Sequence, residues 1–282
     1  MKWKLYGTGP AIVSAFAEGA LDLAYMGIPP AIIGMDRGVR ITCISGGHVE
    51  GTVICGASRL KGYPEISRLD TILKQLAGHK LGVPGKGSIH DVIISESLRT
   101  FDLQKDIQVI NFQWADQVLE ALHRGNLSAA AGTPALAVAV QRFAHGRILY
   151  PPSELWPNNP SYGIVVRKDV LHRRTDEIES FLKSHEDAGA FLRNSTSEAA
   201  RIIARYVGVV DEEFVLDTLM LSPRYCACLT DEYIAASTAF SRVLKELGYI
   251  RRDISADEIF DLSLIRKIHP GKDHYHDPLH PG

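Results

Sequence analysis

Four short loops carry the residues best suited to chemistry: Gly7-Thr8-Gly9-Pro10, Gly27-Ile28-Pro29, Gly85-Lys86-Gly87-Ser88 and Gly132-Thr133-Pro134. Each lies between a strand-like run and a helix-like one. The first N–H groups of such a helix lack intrahelical partners, and the positive end of its dipole points outward. Glycine lets another group approach the main chain closely, and Thr8, Ser88 and Thr133 add hydroxyls. Together this is the chemistry of a cradle for an oxyanion or another polar ligand. Its candidate residues are Thr8, Gly9, Gly27, Pro29, Lys86, Gly87, Ser88, Gly132 and Thr133. Taken singly, each loop is equally an ordinary helix start, with Ser88 and Asp91 spaced for a cap and Pro where Pro fits best. Lys86 reads either as a ligand cation or as a solvated lysine on a tight turn. Tyr162, with Trp114 and Trp156, lies in or beside connections and can wall an organic ligand or pack a hinge.

Other chemistries find little support. GVPGKGS at Gly82–Ser88 departs from the phosphate loop because Lys86 is followed by glycine, and Gly7-Thr8-Gly9 has no third glycine for a dinucleotide fingerprint. No GxSxG or HExxH signature is present. By loop position only His48, His90 and Asp91 are candidates for an acid or base. The four cysteines, Cys43, Cys55, Cys226 and Cys228, contain no CxxC and read as small hydrophobes in a reducing compartment; Cys226 and Cys228 would share a face if they lay on a strand. The tail HPGKDHYHDPLHPG reads either as a polar, unpacked end or, through His274 and His276, as weak candidate ligands for a transition metal. No cofactor is expected.

The elements that must position the loops follow from pattern. With 282 residues and 45% hydrophobic composition the chain can bury two cores, and a net charge of −2 without basic clusters argues against nucleic acid as a partner. No apolar run approaches the roughly 18 residues that would cross a membrane, and the N-terminus shows no secretion signal. Strand-like runs at Lys2–Tyr6, Leu21–Met26, Val39–Ser45, Thr52–Gly56, Lys80–Val83, Ile107–Asn111, Leu127–Ala131 and Tyr162–Arg167 alternate with helix-like ones. That alternation predicts βαβ units and a largely parallel sheet in each half. Beyond residue 175 the chain reads as helical, with helices near 176–193, 197–207, 212–221 and 231–247. Asp211 and Thr230 are set as caps, and Ser195 with Glu198 and Ser255 with Glu258 have capping-box spacing. Glu18–Ala31 echoes Arg124–Ala135: helix end, Gly, strand, Gly, then Pro at a new helix start. Each half therefore aims a helix N-terminus at the sheet edge where ligands sit.

With these residues in view, the chain resembles the nitrate/sulfonate/taurine-type substrate-binding proteins of ABC transporters, which share the type II periplasmic binding fold. The likeness rests on FAEGALDLAYMGIPPAI, KLGVPGKGSIHDVI, ADQVLEALHRGNLSAAAGTPA, PSYGIVVRKDVL and LKELGYI. It implies an α/β, two-lobed fold with a ligand cleft between the lobes and a helical C-terminal region. The lobes are expected at 1–78 with 160–282, and at 79–159. It also implies a small polar or anionic organic ligand, a sulfonate, nitrate, taurine or pyrimidine type, and an ABC permease as partner. The location would be periplasmic or at the cell surface if a signal has been removed, and cytoplasmic as the sequence stands. Relatives of this kind begin with a further strand and helix, about forty residues, before the element that starts here at Trp3. The thiamine-pyrimidine synthases and some menaquinone-pathway lyases resemble the same family, so an enzyme on this fold is the alternative. The cysteine-rich iron motif of the synthases is absent, with Cys226-Ala227-Cys228 its faintest echo.

Overall fold

The computed structural model describes residues 2–280; Met1, Pro281 and Gly282 lie outside the described residues. Helix α1 (Gly9–Ala17) leads to strand β1 (Leu23–Met26), α2 (Ile28–Asp36), β2 (Ile41–Val49) and β3 (Val53–Ala57). Then come α3 (Leu69–Lys74), β4 (Lys80–Pro84), α4 (Ile89–Thr100), β5 (Gln108–Phe112), α5 (Ala115–His123), β6 (Ala129–Gly132), α6 (Pro134–Phe143) and β7 (Gly146–Tyr150). After β8 (Pro160–Arg167) the chain is helical: α7 (Lys168–Arg173), α8 (Thr175–Asn194), α9 (Thr196–Val207), α10 (Glu212–Leu221), α11 (Asp231–Glu246), α12 (Ala256–Ile259) and α13 (Ile265–Ile268).

The strands form two sheets, one ordered β1-β8-β2 and the other β5-β4-β6-β3-β7. The expected parallel pairing holds for β4 with β5 and with β6. Elsewhere it fails: β8 lies between β1 and β2 and runs antiparallel to both, and β3 runs antiparallel to β6 and β7. The cause is connectivity. The chain crosses between sheets at β2–β3 and returns through β8, so each sheet receives a strand running against the others. Val53–Ala57, expected in the first lobe, therefore hydrogen-bonds in the second sheet, and β7, unforeseen, covers its edge. The strand expected at Lys2–Tyr6 does not form; Trp3 and Leu5 are 63% and 88% exposed, and no neighbouring strand supplies the ladder a strand needs.

Burial explains the remaining elements. Every residue of β2 is buried, between the α2 side and the C-terminal segment that returns across it through α12 and Tyr225. The largest apolar cluster runs through both sheets, joining Ile41 and Val165 to Ile54, Leu81 and Val83 by way of α2, α4 and α11. A separate cluster sets α7 and α8 on the other face of β8. Asp211 and Thr230 cap α10 and α11, and Ser255 with Glu258 forms its box. Ser195 makes no side-chain capping bond to α9, and Glu198, the other half of the expected box, pairs with Arg201 at 2.6 Å.

Candidate functional site

The helix starts are built as local sequence dictates. Thr8 Oγ1 accepts from Ala11 N at 3.4 Å, Ser88 Oγ from Asp91 N at 3.2 Å, and Thr133 Oγ1 from Leu136 N at 3.3 Å. Each hydroxyl accepts the capping bond with a lone pair and retains its own O–H for another partner. Ser88 is buried, Thr8 half-buried and Thr133 exposed.

Three of the four loops meet where the sheets join. Gly85 has φ +71°, and a Cβ there would lie 2.8 Å from Thr8 Cβ, so the loop after β4 sits directly on the loop before α1. Gly7 likewise faces the Trp114 ring, which a Cβ would approach to 2.6 Å. Pro30 at the start of α2 packs on Gly9, and Ile33 of α2 packs on Gly87. Gly27 lies beside Ser161 of β8 and Ile89 of α4, which leaves Pro29 buried in the first turn of α2. The fourth loop is placed differently. Gly132 pairs with Val53 in the second sheet, and exposed Thr133 is not drawn into these contacts.

Asp91 holds the loop after β4 in shape. Its Oδ2 accepts from Gly87 N at 2.7 Å and from Tyr249 Oη, and its Oδ1 accepts from Asn111 Nδ2 at 2.8 Å. Burial, with the Asp91 carboxylate beside it, raises the Tyr249 phenol above its ordinary range. Between α1, α2 and this loop lies a cavity of about 200 Å³, walled by Val13, Pro30, Ile33 and Tyr249 with Arg37 and Lys86 as its cations. A larger depression of about 510 Å³ lies at the other end of α1 beside Arg37, Arg40, Arg167 and Asp169. Arg167 is already paired with Asp169 through bonds of 2.9 and 2.7 Å, which offsets its attraction for an anion.

The residues named as possible acids or bases are tied up. His90 Nδ1 is 2.9 Å from Thr52 Oγ1, and His48 Nε2 is 2.9 Å from Ser222 O. Burial pushes both imidazoles down to about 4, so both are neutral. Tyr162 joins an aromatic group on the α8 face of the first sheet, 5.8 Å from both Tyr25 and His48. Trp156 stacks on Phe240 at 4.3 Å, whereas Trp114 is 42% exposed at the junction. All four cysteines are free; burial raises Cys43 and Cys55 to about 12, and Cys226-Ala227-Cys228 lies outside any strand. His274 lies beside His269 and Glu186, while His276 is exposed and outside that group. Sequence reasoning passed over Tyr249 and Glu186, whose partners lie far along the chain, and over Arg37, which lines the cavity from the end of α2.

The NMT1-like family model matches residues 7–208, a span that takes in the four loops and both sheets. The chain belongs to the NMT1-like family. Among curated proteins none matches the sequence. Solved structures are similar over most of this NMT1-like chain. The ligand-binding component of an ABC-type import system from Staphylococcus aureus, with zinc bound, has a TM-score of 0.78 at 15% identity, covering 94% of this chain and 87% of that one. The periplasmic aliphatic sulphonate binding protein SsuA from Escherichia coli has a TM-score of 0.73 at 19% identity, covering 90% and 80%. The periplasmic nitrate-binding protein NrtA from Synechocystis PCC 6803 has a TM-score of 0.74 at 15% identity, covering 94% and 78%. At such identities the likeness shows the fold, so the NMT1-like chain has the two-lobed α/β architecture of the periplasmic binding proteins. Among the described residues no helix is long and apolar enough to cross a membrane.

Proposed function

We propose that this NMT1-like protein is the solute-binding component of an ABC-type import system and takes a small anionic organic ligand between its lobes. The observation that carries the reading is the meeting of three helix starts, those of α1, α2 and α4, at the junction of the two sheets beside Lys86, with Arg37 from the far end of α2 lining the adjoining cavity. The positive dipole ends of these helices and the two cations favour an acidic head group. The apolar wall of Val13, Pro30 and Ile33 suits the hydrocarbon part of a sulfonate better than a bare inorganic ion.

In this reading the first lobe carries the three-stranded sheet and the C-terminal helices, and the second carries the five-stranded sheet. Thr8, Gly9, Gly27, Pro29, Lys86, Gly87 and Ser88 border the ligand. Gly132, Thr133 and Tyr162 belong to the same cleft only in a state in which the lobes are arranged differently. A ligand that contacts both lobes stabilises the arrangement in which it is enclosed. The partner is then a permease, and the working location lies outside the cytoplasmic membrane. The enzyme alternative gains no support from His48, His90 or Asp91, each of which is buried and bonded internally.

A thermal-shift screen of alkanesulfonates, taurine, nitrate and pyrimidines in metal-free buffer tests the reading. At 100 times its dissociation constant a ligand adds roughly 2.7 kcal/mol, and the alkanesulfonates are expected to raise the melting temperature. Lys86→Ala removes a charge-assisted contact worth about 1.5 kcal/mol or more, so affinity should fall at least about tenfold. Absence of any stabilising compound, or equal stabilisation of Lys86→Ala and Arg37→Ala, would remove the basis for this site.

A further inference from the structure

The C-terminal tail, beyond the span matched by the family model, folds back onto the first lobe. Tyr275 is buried, with its hydroxyl donating to Cys228 O at 2.8 Å. His280 N donates to Arg193 O at 2.9 Å, and Thr196 N donates to His280 O at 3.0 Å. Between these anchors, three side chains from distant parts of the chain turn towards one another. Glu186 projects from the middle of α8, His269 follows the end of α13, and His274 sits on the turn that reverses the tail. One ligating atom from each lies within 4.8 Å of the others.

The details exceed what a simple ion pair requires. Glu186 Oε1 is 3.1 Å from His269 Nδ1, close to the spacing of about 3.3 Å between two ligands whose bonds to one tetrahedral zinc are near 2.0–2.1 Å. The far nitrogen of His269, Nε2, is 2.9 Å from Lys272 O. His274 Nδ1 is 2.7 Å from Asp277 Oδ2, which leaves its Nε2 free as a ligand atom. Metal-ligating histidines are held in this way, the second ring nitrogen donating to a carbonyl or carboxylate that fixes tautomer and ring direction. Glu186 Oε2 is buried and has no hydrogen-bond partner. A buried carboxylate oxygen without a partner is costly, and the pairing with His269 does nothing for it. Arg193 Nη2, at 3.7 Å from Oε1, is beyond hydrogen-bond reach. Cys226 borders the group, but its Sγ already accepts from His274 N at 3.3 Å and Cys228 N at 3.4 Å.

We propose that Glu186, His269 and His274 form a site for a divalent transition metal of the zinc type, with Asp277 and the Lys272 carbonyl orienting the two histidines, and that the metal clamps the tail to α8. Two imidazoles and a carboxylate suit zinc, cobalt or nickel, whereas calcium and magnesium take oxygen ligands alone. Three protein ligands leave the fourth position to water. The site shares no residue with the cavity at the lobe junction, so it stands or falls independently of the transport reading.

The test uses the untagged full chain, stripped with chelator and titrated with zinc chloride by calorimetry, with cobalt as a spectroscopic probe. One zinc per chain is expected, with a raised melting temperature and a zinc shell of nitrogen and oxygen near 2.0 Å by X-ray absorption. His269→Gln, His274→Gln and Glu186→Gln should each weaken binding at least about tenfold, and Asp277→Asn by about 10–100-fold. His276→Ala, one residue along an exposed stretch, should bind as the wild type does. Circular dichroism of the metal-free proteins separates lost binding from lost folding, and partly exposed His274 gives the variant that decides if Glu186→Gln does not fold. Absence of stoichiometric zinc, full affinity in His274→Gln, loss in His276→Ala, or a sulfur shell would overturn the proposal.

Discussion

Gly85 is where the loop after β4 presses on the loop before α1, and it is placed under two constraints at once. Its φ of +71° is a conformation that costs an L-residue about 1–2 kcal/mol, and a Cβ would sit 2.8 Å from Thr8 Cβ. Gly85→Ala should lower stability by about 1–3 kcal/mol in urea unfolding, since neither constraint can be relieved locally. Pairing it with Thr8→Gly removes the clash at a cost of only a few tenths in capping. The double variant should therefore recover part of the loss but not the part due to φ; no recovery would mean that Thr8 and Gly85 do not touch. Asp91 is constrained differently, by its bonds. Asp91→Asn presents an amide where Gly87 N, Tyr249 Oη and Asn111 Nδ2 all donate, so at least one donor is left unpaired at about 1–3 kcal/mol. Tyr249→Phe removes one donor from the same carboxylate, and a double-mutant cycle should show the two losses to be strongly non-additive; simple additivity would place Tyr249 outside the network.

At the level of elements, β2 and α4 each bury a histidine, and their protonation ties strand and helix stability to pH. Burial holds His48 and His90 at about 4, against about 6.5 in an unfolded chain. As pH falls, the unfolded chain takes up protons first. The stability these two contribute is complete above about pH 6.5, declines towards pH 4 and is lost below it. At pH 5 the loss is about 2 kcal/mol for each histidine. His48→Gln should flatten the wild-type decline between pH 7 and pH 5 by about that amount, and an unchanged slope would show that His48 is not held neutral. The same elements show what was legible in advance. Helix starts such as Thr8, Ser88 and Thr133 depend on residues three positions away, so local spacing revealed them and their candidate ligand loops. Strand order depends on pairing across long separations. Nothing near Pro160–Arg167 announces that it will enter between β1 and β2, and nothing near Val53–Ala57 announces a move to the other sheet. Glu186 was invisible for the same reason: on α8 it is one acid among several, and only the folded tail brings His269 and His274 to it.

Across the whole molecule, the two sheets are joined unequally around the junction. On one side α4 is tied to the C-terminal region, with Arg99 Nη2 2.7 Å from Glu246 Oε2 and Tyr249 donating to Asp91, over an apolar cluster shared by both sheets. On another, the contact is Gly7 against a Trp114 that is 42% exposed. If the lobes close on a ligand as proposed, the well-bonded side is the natural pivot and the Gly7–Trp114 side is where movement is least opposed. Trp114 is thus the tryptophan placed to report ligand-linked closure. Trp156 is stacked on Phe240 within the packed region, and Trp3 is 63% exposed on a segment outside either sheet. Titrating the stabilising sulfonate into the wild type should change tryptophan fluorescence with a saturation curve matching calorimetric affinity. Trp114→Phe should abolish most of that change while leaving affinity within about twofold, because the ring covers Gly7 rather than the cations. Retention of the full signal in Trp114→Phe would locate the movement elsewhere, at the stacked Trp156, and would make the α4–α11 side the one that opens. Loss of both signal and affinity would instead make Trp114 part of the ligand's wall.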